Sequence, residues 1–248
     1  MNTGLRNLFL AIFISLLALP ATSQEADGLS IGFGAFAART PYNNTTKTRL
    51  VPSLRYQSQN LAIGVVEGLQ YKFFSRDSLK AYLAIKPRMA PYSDGENTSL
   101  TGMSRKQSID LALKASFELS RGTSLIFKAA SEFTDEHKGQ EFDLALRQYI
   151  PGLGMPFFAT AGVKRLSPEL SSFLYGVGTS ESRAGRLAFS PGTVSIPYVS
   201  ANAIYSLTDS LNIFGNTSFN FFPTDVFDSP IVSNRTTMSF VAGLGFTF

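Results

Sequence analysis

The sequence predicts an all-β protein: a transmembrane, antiparallel, up-and-down β-barrel behind a cleaved signal peptide, with twelve strands and ten as the alternative. Three observations lead there. The chain begins with an export signal, it ends on an alternating apolar strand whose final residue is aromatic, and alternating segments of about ten residues fill the space between.

Residues 1–7 carry the single charge Arg6, residues 8–19 are apolar and uncharged, and Pro20 and small residues follow. That layout is a secretory signal peptide, too short and wrongly flanked for a spanning helix. Ala21-Thr22-Ser23 places cleavage after Ser23, with Ala21 as the alternative, so 1–23 is the signal peptide and 24–248 the barrel domain. No cysteine is present, which removes lipoprotein anchoring, disulfides and thiolate chemistry. Charged residues make up 16% of the chain, aromatics 12%, and the net charge of +4 is spread without a basic run, a poor match to nucleic acid as a partner. No later segment has the length of a membrane helix, so a membrane-embedded chain must close into a barrel to satisfy its backbone.

The first strand segments are 28–38, 49–56 and a longer stretch, 61–74. They are followed by 79–89, 107–120, 123–134, 140–150, 155–166, 193–207, 210–222 and 236–248. The pattern is clearest mid-chain, where Ile109, Leu111, Leu113, Ala115, Phe117 and Leu119 alternate with Ser108, Asp110, Ala112, Lys114, Ser116, Glu118 and Ser120. Leu125 and Phe127 then oppose Lys128 and Glu132, and Phe142, Leu144 and Leu146 oppose Glu141, Asp143 and Arg147. Short turns at 57–60, 75–78, 120–123, 151–154 and 208–210 alternate with long polar loops at 39–48, 89–107, 134–140, 166–192 and 223–236. Short periplasmic turns and long external loops are the rule for outer-membrane barrels. Read as one strand, 61–74 makes the total odd. A tight reversal near Glu67-Gly68 divides it and gives twelve, with both termini periplasmic.

The last strand sets Met238, Phe240, Ala242, Leu244, Phe246 and Phe248 against Ser239, Val241, Gly243, Gly245 and Thr247. Phe240, Leu244, Phe246 and Phe248 form the terminal aromatic signal expected for the barrel assembly machinery. The surrounding partners are then outer-membrane lipid and lipopolysaccharide. Lys80, Lys86, Arg88, Asp110, Lys114, Glu118, Lys128, Glu132, Glu141, Asp143, Arg147 and Lys164 project to the lumen. Opposite charges on neighbouring strands favour a salt-bridged filling over an open pore, since unpaired buried charge is costly. Lys80, Lys86 and Arg88 on one strand leave room for an anion path.

His137 is the only histidine and is expected to be solvated in an external hairpin. One histidine does not supply a zinc site, and a Ser–His pair would need a serine on the same face. The sequence therefore predicts no catalytic residues, no metal and no cofactor. Asp135 and Glu136 read as solvated loop acids.

Asp228-Ser229-Pro230-Ile231-Val232, just before the last strand, resembles a segment characteristic of the MipA/OmpV family of outer-membrane proteins. Tyr175-Gly176-Val177-Gly178-Thr179-Ser180-Glu181 is similar to that family's Tyr-Gly-Val-Ser segment, with Gly178 in place of the serine. Asp135-Glu136-His137-Lys138-Gly139-Gln140 is similar to its Asp…His-x-Gly-Gln hairpin, and Pro41-Tyr42 to its Pro-Tyr loop, with Asn44 where a glycine is usual. The resemblance implies an outer-membrane barrel acting as a non-enzymatic scaffold in peptidoglycan biogenesis, linking a lytic transglycosylase to a murein synthase. Other relatives are porin-like, which makes a small channel for a charged solute the alternative. On this reading Tyr175, Gly176, Val177, Glu181, Asp228, Ser229 and Pro230 are the candidate interaction residues. Asp228 and Ser229 cap backbone amides, and Pro230 fixes its own φ in a loop folding back over the barrel mouth.

Overall fold

The computed structural model describes residues 28–42, 46–65 and 68–248. The signal peptide, its cleavage site, Asn44 and Glu67 lie outside the described residues. Twelve antiparallel strands form a closed barrel: β1 (Gly28–Arg39), β2 (Thr46–Gln57), β3 (Leu61–Gly64), β4 (Gly68–Arg76), β5 (Leu79–Arg88), β6 (Ser108–Ser120), β7 (Thr123–Glu132), β8 (Gln140–Tyr149), β9 (Phe157–Leu166), β10 (Val194–Ser206), β11 (Leu211–Phe221) and β12 (Thr236–Thr247). Each strand pairs with its sequence neighbours, and β12 returns to β1. The long predicted stretch is divided between β3 and β4, as the even strand count requires.

Burial is inverted relative to a water-soluble sheet. On β8, Phe142, Leu144 and Leu146 are exposed, while Glu141, Asp143, Ala145 and Arg147 are buried. An apolar exterior over a polar interior is the arrangement lipid demands, because the outward residues meet hydrocarbon and every strand pairs its backbone with a neighbour. The same alternation turns Met238, Phe240 and Phe246 outward on β12, with the Phe246 and Phe248 rings edge to face at 4.9 Å. Phe248 N–H donates to Leu29 O, so the aromatic terminus is tied to the first strand.

The β1–β12 seam depends on small residues. Gly32 opposes Gly245, and Gly34 opposes Gly243. A Cβ on Gly243 would lie 2.4 Å from Phe33 O, 2.7 Å from Gly34 Cα and 2.5 Å from the inward Phe214 ring. The missing side chain lets two strands and an aromatic ring share one level of the lumen.

Short turns join the strands at the end where β1 begins and β12 ends, and the longer loops lie at the other, extracellular end. The longest of these loops holds a helix, α1 (Pro168–Tyr175). The sequence reads there as irregular polar loop, because eight residues are too few to show a helical period. Its local signals are nonetheless complete: Ser167 caps Leu170 N–H, Pro168 occupies the first turn and Glu169 places an acid there. A shorter helix, α2 (Thr224–Phe227), follows β11.

Replacing Gly243 by valine should force the seam apart and destabilise the folded barrel by roughly 1–3 kcal/mol. Urea unfolding in detergent micelles, followed by loss of the heat-modifiable band on gels, measures it. An unchanged midpoint would mean the seam has slack that the close contacts deny.

Candidate functional site

The lumen charges converge on adjacent strands. Arg88 on β5 donates from Nη2 and Nε to Asp110 Oδ2 on β6, at 2.5 and 2.9 Å, and from Nη2 to Glu141 Oε2 on β8 at 3.0 Å. Lys128 on β7 donates to Glu141 Oε1 at 2.9 Å. Glu141 thus accepts from two cations, one on each carboxylate oxygen, and all four groups lie in a wall segment shielded from lipid and largely from water. Next to them, Tyr198 donates to Asp143 at 3.0 Å and Lys164 Nζ lies 4.7 Å from the Tyr198 ring centroid. Arg147 stacks over Phe158 at 3.9 Å. These contacts span β5 to β10, so the network clamps half of the barrel circumference.

Other residues read from the sequence as lumen charges are placed differently. Lys80, Lys86 and Lys114 are half-buried and inward, with Lys114 Nζ 5.2 Å from the Tyr82 ring centroid. Glu118 is exposed next to the bulge at the periplasmic end of β6. Glu132, at the extracellular end of β7, accepts from the backbone N–H groups of Thr134, Glu136, His137 and Lys138. It organises the β7–β8 loop and does not join the charge network.

Above the network the loops fold into a plug with its own apolar core. Tyr42, Tyr92, Leu100, Leu170, Leu174 and Ile231 are among its buried members, drawn from the β1–β2, β5–β6, β9–β10 and β11–β12 loops. Tyr42 donates to Leu174 O at 3.0 Å, and Ser229 to Tyr175 O at 2.6 Å. Burial raises the pKa of the Tyr42 and Tyr175 hydroxyls, with Arg105 opposing it at Tyr42 and Glu141 adding to it but Arg88 opposing it at Tyr175, and burial pushes Tyr92 up to about 12. Arg105 forks onto Glu181 at 2.5 and 3.0 Å. Glu181 also accepts from Gly178 N–H, and these hydrogen bonds hold its carboxyl below the usual range. Arg186 gathers the carbonyls of Ser99, Thr101 and Glu181.

The motif residues are distributed through this plug. Tyr175, Gly176, Val177 and Ser229 are buried in it, Ile231 and Val232 form part of its core, and Glu181 braces it. Asp228 is exposed and Pro230 half-buried. Gly139 packs directly on Leu170, and Gln140 N–H donates to Ser167 Oγ, so the His-Lys-Gly-Gln segment seats α1. A cavity of about 110 Å³ lies between plug and network, lined by Phe36, Tyr42, Glu141, Lys164, Tyr175 and Ile196, among others.

His137 departs from its expected place. It is buried, its ring 4.8 Å from that of Phe173, because the loop that Glu132 organises folds inward beneath α1. Flanking Asp, Glu and Lys residues make the segment read as solvated, and the signal for burial was the neighbouring Gly139. Nδ1 accepts from Gly139 N–H at 3.0 Å, which leaves the proton of the neutral ring on Nε2, 3.9 Å from Asp110 Oδ1. Desolvation lowers its pKa, Arg88 adds to the effect, and Asp110, Glu132 and Glu136 oppose it. Among the described residues, no group of three or more acids and histidines is arranged to hold a metal ion.

Two measurements test this site. Glu141→Gln should cost roughly 3–5 kcal/mol in urea unfolding, the scale for breaking a buried ion pair and stranding its cations. A loss below about 1 kcal/mol would match a solvated, dispensable pair. For His137, the folded pKa lies below the unfolded one, so the unfolded chain holds the extra proton between the two values. Stability must rise with pH through that window and level off above about 6.5. Thermal unfolding between about pH 5 and 8 should show this rise in the native protein and a flatter profile in His137→Gln.

Residues 31–248 match the sequence profile of the family described as MltA-interacting protein MipA. The chain is similar to the putative outer membrane protein YiaT of Escherichia coli K12, 24% identical over 242 residues, 95% of this chain and 97% of the relative. It is also similar to outer membrane protein OmpV of Vibrio cholerae, 25% identical over 181 residues, 68% of this chain and 66% of that one. Among solved structures, the NanC porin aligns over 88% of this chain and all of its own, with 8% identity and a TM-score of 0.49. A closed twelve-stranded barrel with a lipid-facing apolar surface, matched along nearly all of its described length, belongs to the MipA family of outer-membrane proteins.

Proposed function

We propose that this protein is a non-enzymatic outer-membrane scaffold that holds murein-cleaving and murein-synthesising enzymes together at the outer membrane. The observation that carries the reading is the plugged mouth: a plug with a buried core lies over a lumen whose β5–β8 wall carries the paired Arg88, Asp110, Lys128 and Glu141. A barrel whose mouth is covered in this way is suited to act by contact. The family description, MltA-interacting protein, names such a contact. Murein enzymes work on the periplasmic side, where the 150–156 turn presents exposed Leu153.

The second reading is an anion-selective channel. The third of the wall from β2 to β5 favours it, since Arg49, Arg55, Lys72, Lys80 and Lys86 face inward there without an acid on those strands. One pair of assays separates the two. Purified barrel on a solid support should retain a lytic transglycosylase and a murein synthase, retention should fall in Leu153→Asp, and planar bilayers should stay silent. Stable anion-selective steps reduced in Lys86→Gln, with neither enzyme retained, would replace the scaffold by the channel.

A further inference from the structure

Among the described residues, the barrel wall leaves a stretch unpaired on its extracellular side. β3 meets β2 only at Arg55, Tyr56 and Gln57, and β4 meets β5 from Leu69 and Ile85 downward. Above that level no described strand pairs with the β3-facing side of residues 46–53.

Both edges are adapted to being open. Leu54 O accepts from Val65 N–H, so residues of that parity on β2, Pro52 included, turn their backbone groups toward the gap. Ile109 gives its N–H to Thr134 and its carbonyl to Phe133, away from β5, so its partner Pro87 also faces the gap. Each edge therefore carries a proline where a paired strand would need a donor, a placement confined to strand edges. Gly68 makes the reversal below with φ +74°, and a Cβ there would lie 2.2 Å from Ile85 O.

The chemistry around the opening is amphipathic. Its outer rim has Leu50, 81% exposed, with Val65 and Ile85. Just inside, Phe36, Val51, Phe214 and Val241 form an apolar patch that a purely polar lumen does not call for. At the floor, Arg55, Gly64, Gly68 and Lys86 form one inward row across β2 to β5, two cations flanking two residues without side chains. Arg55 Nε is buried without a hydrogen-bond partner, and Lys86 has no ion pair, among the described residues. Prolines on both edges disfavour an added strand. An acyl chain suits the rim and patch, and an anionic head suits the row.

We propose that a single-chain anionic amphiphile, a carboxylate or phosphate on an acyl chain, enters through the wall between β2 and β5, its chain along Val51, Phe36 and Phe214 and its head on Arg55 and Lys86. The chain contains no tryptophan, so Phe36→Trp supplies a sole fluorophore inside the wall. In vesicles of unbrominated phosphatidylcholine, 9,10-dibromostearate or its lysophosphatidic acid counterpart should quench it saturably, and the tighter of the two identifies the head group. Arg55→Gln and Lys86→Gln should each weaken quenching about tenfold, the scale of a lost charged hydrogen bond, and the methyl ester should not quench. Phe214→Trp is the second reporter, and native mass spectrometry of the unaltered barrel with stearate gives a reading free of substitutions in the patch. Absent quenching and no bound stearate, or equal quenching by acid and ester that ignores both substitutions, would overturn the proposal.

Discussion

A chain that crosses hydrocarbon with strands must give each backbone N–H and C=O a partner, because lipid supplies none. Everything else in this barrel is arranged around that constraint. Closure of β12 on β1 meets it, and closure requires glycine at levels where two backbones and Phe214 converge. Where the wall is left open beside β3, the same constraint explains proline at both edges: an absent donor needs no partner.

Pairing the backbone in the wall forces every second side chain into the lumen, and this sequence fills half of it with charge. The cost of burying those charges is offset by mutual pairing, with Glu141 between Arg88 and Lys128 and Asp110 on Arg88. Such a network is geometrically demanding, and it gives the plug a fixed floor. His137 and α1 sit directly above it, so wall, network and plug form one continuous packed unit. The third of the wall from β2 to β5 is different: it carries cations and no acid on its own strands, and it lies next to the unpaired stretch. Closed filling on one side and unbalanced charge on the other explain why a contact role and an anion-handling role both find support in one barrel.

The barrel was legible because a dyad repeat persists along a whole strand. The odd-position apolar run from Ile109 to Leu119 specifies a lipid-facing side with no tertiary information. Even the division into β3 and β4 followed from parity and one glycine. The lumen charges were legible as a set, since alternation assigns the face, but their partners were not. Whether Glu132 turns to the network or to loop amides depends on a bulge or loop geometry that no period encodes. The plug was the least legible part. Its helix is too short to show a period, and its core gathers single residues from four loops distant in sequence. The motif segments marked its position without revealing that Tyr175, Val177 and Ser229 point inward.

The central claim is that the extracellular mouth is closed by a folded plug seated on paired charges. Hydrogen–deuterium exchange of the barrel in lipid nanodiscs tests it most directly. Peptides covering α1, Tyr175 to Val177 and Ile231 to Val232 should exchange as slowly as β8, and should speed up together in Glu141→Gln. Exchange of those peptides at the rate of free loops in the native protein would contradict the account.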